Sequence, residues 1–295
     1  MTTASARLLG RLFLTCSLLA SACAVDTSDD HKLVAVDENT VVHIQPVRTA
    51  RPVVYSSPPG SHLSYFGGPV LPNVHVSPIY WNSSVQFIAT LDSFYNDVPN
   101  SSLYNMLTQY GVERGNGQPG AVAGRVNQNI ADANIRTAVL VEINRGTVPL
   151  PSNPDNYYPV HLAPGMQVSS PDGGLSCQTF CAYHGTFRVL DVNGNTFNVN
   201  YGVLPDLGGA CNGICGSNTV VNNTTSVASH ELVEATTDPA VGLATTIGFP
   251  LAWYDPSHGE IGDICNGQQG TTTGNGHSYV IQLEFSNAAN NCVQN

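Results

Sequence analysis

The segment Ser229-His230-Glu231-Leu232-Val233-Glu234 reads H-E-x-x-E. On a helix, residues four apart project from one face, so His230 and Glu234 would stand one above the other with Glu231 beside them. An imidazole and a carboxylate at that spacing can grip a divalent cation. The intervening glutamate can then act as general base on a water that the cation acidifies. The usual zinc-peptidase pattern has histidine where Glu234 stands, so the motif is a variant. Taken alone it is only moderately specific, because a solvent-facing helix carrying two acids and a histidine would read the same way.

A second segment adds weight. Residues 252–265, Ala-Trp-Tyr-Asp-Pro-Ser-His-Gly-Glu-Ile-Gly-Asp-Ile-Cys, are dense in possible ligands and follow soon after the helix. Zinc enzymes with two ligands on a helix take a third from downstream. Glu260 is the expected third ligand. Asp263 is expected to support His230, or to replace Glu260 as ligand. The competing reading is an Asp/Gly turn that only closes a structural loop. Gathered carboxylates repel one another, and a divalent cation relieves that. Zinc is the expected ion, although so many carboxylates would also suit calcium or manganese. Trp253 and Tyr254 are expected to wall the cleft. His184 is a further cleft candidate, against the commoner case of a histidine packed beside a disulfide. His258 is expected to be exposed.

These residues need a frame. The pattern predicts a helix from about Ser217 to Thr237, stopped by Asp238-Pro239 because the residue before proline avoids the helical region. Alternation predicts strands over 73–81, 158–162 and 278–285, and a hairpin of 187–192 with 196–201 about Asn193-Gly194. Helices are expected over 85–95 and 101–110. Residues 127–143 should begin helical and turn to strand at 138–143. The expected class is α+β: a mixed or antiparallel sheet packed on a few helices, including a zincin-like metal helix, and braced by disulfides.

Composition limits the function. Charged residues are 11% of 295, the net charge is −11, and Lys32 is the single lysine. No basic stripe can neutralise phosphates, so nucleic-acid binding and adhesion to anionic membrane are disfavoured. No nucleophile elbow, P-loop or dinucleotide fingerprint is present. Arg7 and Arg11 precede the apolar run Leu12–Ala20 and the small residues Ala20-Ser21-Ala22-Cys23-Ala24, which reads as a secretory signal over 1–24. Cleavage before Cys23 would suit a lipoprotein, the one membrane link expected, although the usual leucine three positions earlier is alanine. Residues 25–66 read as a linker or propeptide with one short strand near 41–44, and 67–295 as the folded domain. Six body cysteines suggest three disulfides in an oxidising compartment. Spacing suggests Cys177–Cys181, Cys211–Cys215 and Cys265–Cys292.

Several pieces in order resemble the phosphate-induced protein 1 family, the exordium-like proteins of plant cell walls and their bacterial relatives. They are Gly67-Gly68-Pro69-Val70-Leu71, Ile79-Tyr80-Trp81, Cys181-Ala182-Tyr183-His184-Gly185, Cys211-Asn212-Gly213-Ile214-Cys215, Glu234-Ala235-Thr236-Thr237-Asp238-Pro239, Ala252-Trp253-Tyr254-Asp255 and Asp263-Ile264-Cys265. The resemblance implies an extracytoplasmic protein with internal disulfides and little about chemistry. Plant members often lack the His-Glu pair, so this chain looks more like bacterial members with a zincin-like H-E-x-x-E. The first expectation is a secreted metal-dependent hydrolase, a peptidase in which Glu231 is the base, acting on a peptide or wall polymer. The alternative is a non-catalytic wall or surface protein with a structural metal or a glycan- or partner-binding role.

Overall fold

A computed structural model describes residues 32–36, 42–47 and 56–295. The expected signal with Cys23 lies outside the described residues. The longer strands are β1 (Val42–Pro46), β2 (Asn156–His161), β3 (Phe180–Leu190), β4 (Thr196–Leu204), β5 (Gln269–Gly274) and β6 (His277–Gln282). The α-helices are α1 (Ile88–Asp97), α2 (Ser102–Leu107), α3 (Asp132–Asn144) and α4 (Val220–Thr237).

The main sheet is mixed. β1 and the short Val34–Ala35 both pair antiparallel with one edge of β3, and β3 pairs antiparallel with β4. From β4 onward the pairing is parallel, to β2 and then to the two-residue strands His75–Val76 and Ile79–Tyr80. Parallel neighbours need long crossovers, and α1 to α3 lie in those connections. All six residues of β2 are buried, as a strand covered on both faces requires. The hairpin between β3 and β4 turns at Gly194 with φ +82, and Asp191 Oδ1 accepts the backbone N–H of Asn193 and Asn195.

α4 lies between this sheet and β6. The Thr219 side chain caps its first turn by accepting from the Asn222 N–H, and it ends at Asp238 before Pro239. It is buried almost all round, polar residues included. Ser229, Thr236 and Thr237 return their hydroxyls to carbonyls of the preceding turn, which satisfies them without water. Thr225 Oγ1 donates to Val280 O at 2.7 Å and ties α4 to β6.

The sequence pattern misleads in four places. Residues 138–143 are helical, not strand. Ile135, Ala138, Val139, Glu142 and Ile143 form the buried face, the spacing of one side of a helix, and this overrides the β preference of the valines and isoleucines. The expected 278–285 strand is two, because β6 stops at Gln282 and Glu284–Ser286 pairs with Asn291–Val293. Parts of 25–66 belong to the folded body. β1 joins the main sheet, Leu63 is fully buried, and Ser64–Tyr65 pairs with Trp253–Tyr254. The disulfide Cys265–Cys292 forms as spaced, but Cys177–Cys181 and Cys211–Cys215 do not. The bonds run crosswise, Cys177–Cys211 and Cys181–Cys215, with Cα separations of 4.6 and 5.6 Å. Cys177 sits in a turn with φ +64, its N–H donating to Phe180 O, and Cys181 on β3; the turn presents the two thiols to Cys211 and Cys215 and not to each other.

Candidate metal centre

Four elements converge on one buried cluster. α4 supplies His230, Glu231 and Glu234, β3 supplies His184, β1 supplies His43, and the 260–263 loop supplies Glu260 and Asp263. His184 is central. Its Nδ1 lies 3.2 Å from Glu231 Oε2 and 3.6 Å from Glu234 Oε2, and its Nε2 lies 3.5 Å from Glu260 Oε1. His230 Nε2 lies 3.1 Å from Glu234 Oε2, as the i, i+4 spacing anticipates. Three overlapping sets have donor atoms within 4.8 Å of one another: His230/Glu231/Glu234, His184/Glu234/Glu260 and His43/Glu260/Asp263. Two donors on one tetrahedral zinc stand roughly 3.4 Å apart, given bonds of about 2.1 Å. The spacings around Glu234 and His184 match that edge.

The 260–263 loop reaches the helix because of one residue. A Cβ on Gly262 would lie 2.6 Å from His230 Nδ1 and 2.8 Å from Glu234 Oε1. Asp263 N–H donates to Glu234 Oε1 at 3.0 Å, which orients that carboxylate. The disulfide from Cys265 anchors the loop's far end. Gly262→Ala is expected to push the loop off α4 at a cost of about 1–3 kcal/mol, the usual penalty for overpacking. Urea unfolding checks this, and an unchanged midpoint would show that the loop is not wedged there.

Asp263 does not support His230 as expected. Its carboxylate accepts from Glu260 N–H and lies 3.6 Å from His43 Nδ1. Support comes instead from Gln282. Its Nε2 lies 2.6 Å from His230 Nδ1 and donates to Gly262 O, while its Oε1 accepts from Gly267 N–H and Gln45 Nε2. These neighbours orient the amide, so His230 Nδ1 accepts and the ring proton faces Glu234. A metal on Nε2 requires that proton to move to Nδ1 and the amide to turn. The cost is one or two hydrogen bonds, roughly 1–3 kcal/mol, small beside the ~10–16 kcal/mol of a structural zinc site.

The other expected residues fall into place around this. Tyr254 sits at the rim, its ring edge-on to His43 with centroids 5.5 Å apart. Trp253 belongs to a wall of the core, where its Nε1 donates to Tyr110 O and its ring packs on Tyr65 and Tyr110. His258 is half-buried, not exposed as expected, because its Nδ1 pairs with Asp255 Oδ2 at 2.9 Å. Two participants were not anticipated, His43 and Gln282. Each is a polar residue inside an apolar alternating strand, and that mismatch is the only signal the sequence carries for them.

Burial makes the cluster costly. His184, His230, Glu231, Glu234 and Glu260 are at most 1% exposed, against 25% for His43 and 16% for Asp263. His184 Nε2, His230 Nε2, Glu231 Oε1 and both Glu260 oxygens have no aligned hydrogen-bond partner. Burial, aided by the Glu234 charge against the pull of His184 and His230, pushes the Glu231 carboxyl up to about 7. Burial and the nearby Asp263 and Glu260 raise Glu234 well above the carboxylate range. Burial works against the Glu260 carboxylate, yet His184 and His43 outweigh it and bring Glu260 down to about 2. Burial would lower His184 and His43, but Glu260 leads the groups that raise both.

A pH dependence follows for the metal-free protein. Glu231 holds its proton more tightly folded than unfolded, so its contribution is complete below pH 4.5 and lost as pH rises through about 7. That gap is worth on the order of 3 kcal/mol. The raised histidines act in the same sense at higher pH, and Glu260 opposes only in strong acid. Urea midpoints of chelator-treated protein are expected to fall from pH 5 to pH 8. A midpoint that rises over that range would contradict a proton-holding Glu231.

Comparisons with protein-family models, curated proteins and solved structures return no match for this chain. Among the described residues, no helix is long and apolar enough to cross a membrane.

Proposed function

We propose that this chain is an exported metal-dependent hydrolase that cleaves peptide bonds. The observation that supports the reading is a set of buried imidazole and carboxylate donors, several without partners, that fall into three overlapping groups, each with donor atoms within 4.8 Å of one another. His230 and Glu234, with Nε2 and Oε2 3.1 Å apart, would hold the ion, with zinc the first candidate; Glu260 shares a donor set with Glu234 through His184 and not with His230. A divalent cation there polarises a substrate carbonyl and acidifies water. Glu231, on the same helical turn, would take the proton of the attacking water. His184, bonded to Glu231 Oε2, orients the base. Export is supported by the basic-then-apolar N-terminal sequence and the three disulfides. The exordium-like resemblance agrees with an extracytoplasmic setting and adds no chemistry.

Elemental analysis of purified protein, followed by digestion of a peptide library with and without chelator, tests the proposal. One bound ion and chelator-sensitive cleavage are expected. Absence of bound metal after loading would end it. The near-complete burial of the donors favours a second reading, a metal that braces the fold without catalysis. A closed site has four protein ligands and no exchangeable position. Metal without any cleavage across the library would select that reading.

A further inference from the structure

The donors of this centre are sealed by a strand of the chain's own N-terminal part. β1 covers the outer edge of β3, and His43 lies directly opposite His184 in the register. From that position His43 Nδ1 reaches Glu260 Oε2 at 2.7 Å. The distance is shorter than the roughly 3.4 Å between two donors on one tetrahedral ion, so the contact is an ion pair rather than half of a metal site. His43 is also the most exposed member of the cluster, and it stands between solvent and Glu260.

β1 is lightly held. Its apolar side chains Val42 and Ile44 are only half-buried, and its one buried residue, Gln45, is polar. Side-chain anchoring comes from the His43–Glu260 pair, from Gln45 to Gln282, from Asn266 Nδ2 donating to Pro46 O, and from the partial packing of Val42 and Ile44 on the core. β3 and β4, by contrast, are pinned by the fully buried Phe180, Tyr183, Phe187 and Tyr201. Segments with few buried apolar contacts open at a fraction of the global unfolding free energy. When β1 leaves, β3 presents a row of free backbone N–H and C=O groups beside His184 and Glu260. Such an edge binds an extended peptide through main-chain hydrogen bonds.

We propose that β1 is an internal occupant of the substrate edge: an extended peptide adds antiparallel to β3 in its place, with a residue at the His43 position over the metal donors. The inference rests on the hydrolase reading above. It assigns the substrate class, unfolded or extended polypeptide, and makes the N-terminal strand a built-in competitor.

The test uses full-length protein carrying V42C/G185C. Val42 and Gly185 are paired in register, and a Cβ on Gly185 would lie 3.0 Å from Val42 Cγ1, so a disulfide can tie β1 down without touching a donor. With zinc loaded, turnover of an unstructured casein substrate should drop at least tenfold when the pair is oxidised and return on mild reduction, with wild type treated alike as control. Equal turnover in both states would overturn the proposal. Hydrogen exchange read by mass spectrometry decides it without metal or activity. Peptides covering 42–46 and 180–185 should exchange at a common rate, roughly a hundredfold faster than β4, and the oxidised tie should slow both. Protection of β1 equal to that of β4 would also overturn it. If wild type and the reduced variant both leave casein intact, the hydrolase reading fails, and the exchange data alone judge whether β1 opens.

Discussion

Glu231→Gln is expected to lower the turnover of peptide hydrolysis by about 10²–10⁴, the range a positioned general base contributes, and to leave metal content unchanged. The amide is nearly the same shape, and its oxygen can still accept the His184 Nδ1 contact now made at 3.2 Å. What it cannot do is take a proton. The same change removes a carboxylate that burial holds up to about 7. The metal-free variant should therefore be more stable than wild type at pH 8 and lose its share of the pH dependence. Two readouts moving in opposite directions, slower catalysis and a higher urea midpoint, separate a base from a residue that merely packs. Unchanged turnover in a metal-loaded sample would remove Glu231 from the mechanism. A fall in metal content would make it a ligand.

Removal of both crosswise disulfides, by Cys177→Ala with Cys211→Ala and Cys181→Ala with Cys215→Ala, is expected to cost about 4 kcal/mol. Each bond spans 34 residues, and the chain-entropy relation gives nearly that value for one closed loop of this length. The bonds are not independent, because both tie the 177–181 segment to the 211–215 loop. Once one is closed, the other constrains only a few residues more. Removal of either alone should cost a minor part of the total. Urea unfolding of the two single-bond variants and the double variant checks this, and two equal losses that simply add would refute the shared-loop account. The consequence reaches the centre. Cys181 stands three residues before His184, and Cys215 leads into α4, so the crosswise pair clamps the strand and the helix that must face each other.

The same dependence on distant residues separates what was legible in the chain from what was not. α4 was legible because two local signals agree on it, the i, i+4 spacing of His230 and Glu234 and the Asp238-Pro239 stop, while the Thr219 cap emerged only in the structure. The loop with Glu260 and Asp263 was legible as an acidic segment following the helix, and the structure seats it against His230 and Glu234 through Gly262. The assignment of Asp263 to His230 failed because hydrogen-bond partners are chosen in three dimensions. Gln282, 52 residues downstream, fills that role from β6. α3 shows the reverse failure. Its β-branched run has a local preference that loses to the burial of one helical face.

Sequence alone determined the identities and spacing of His230, Glu231 and Glu234, the breaks in the chain, the low charge and the number of cysteines, since these are properties of neighbouring residues and of composition. Only the tertiary structure decided that His184 is central rather than a packing residue, that His43 belongs to the cluster, and that Cys177 and Cys181 bond away from each other. The reason is separation. His43 and Glu260 are more than two hundred residues apart, and no local rule of period, propensity or spacing records which strand edge a distant segment will cover.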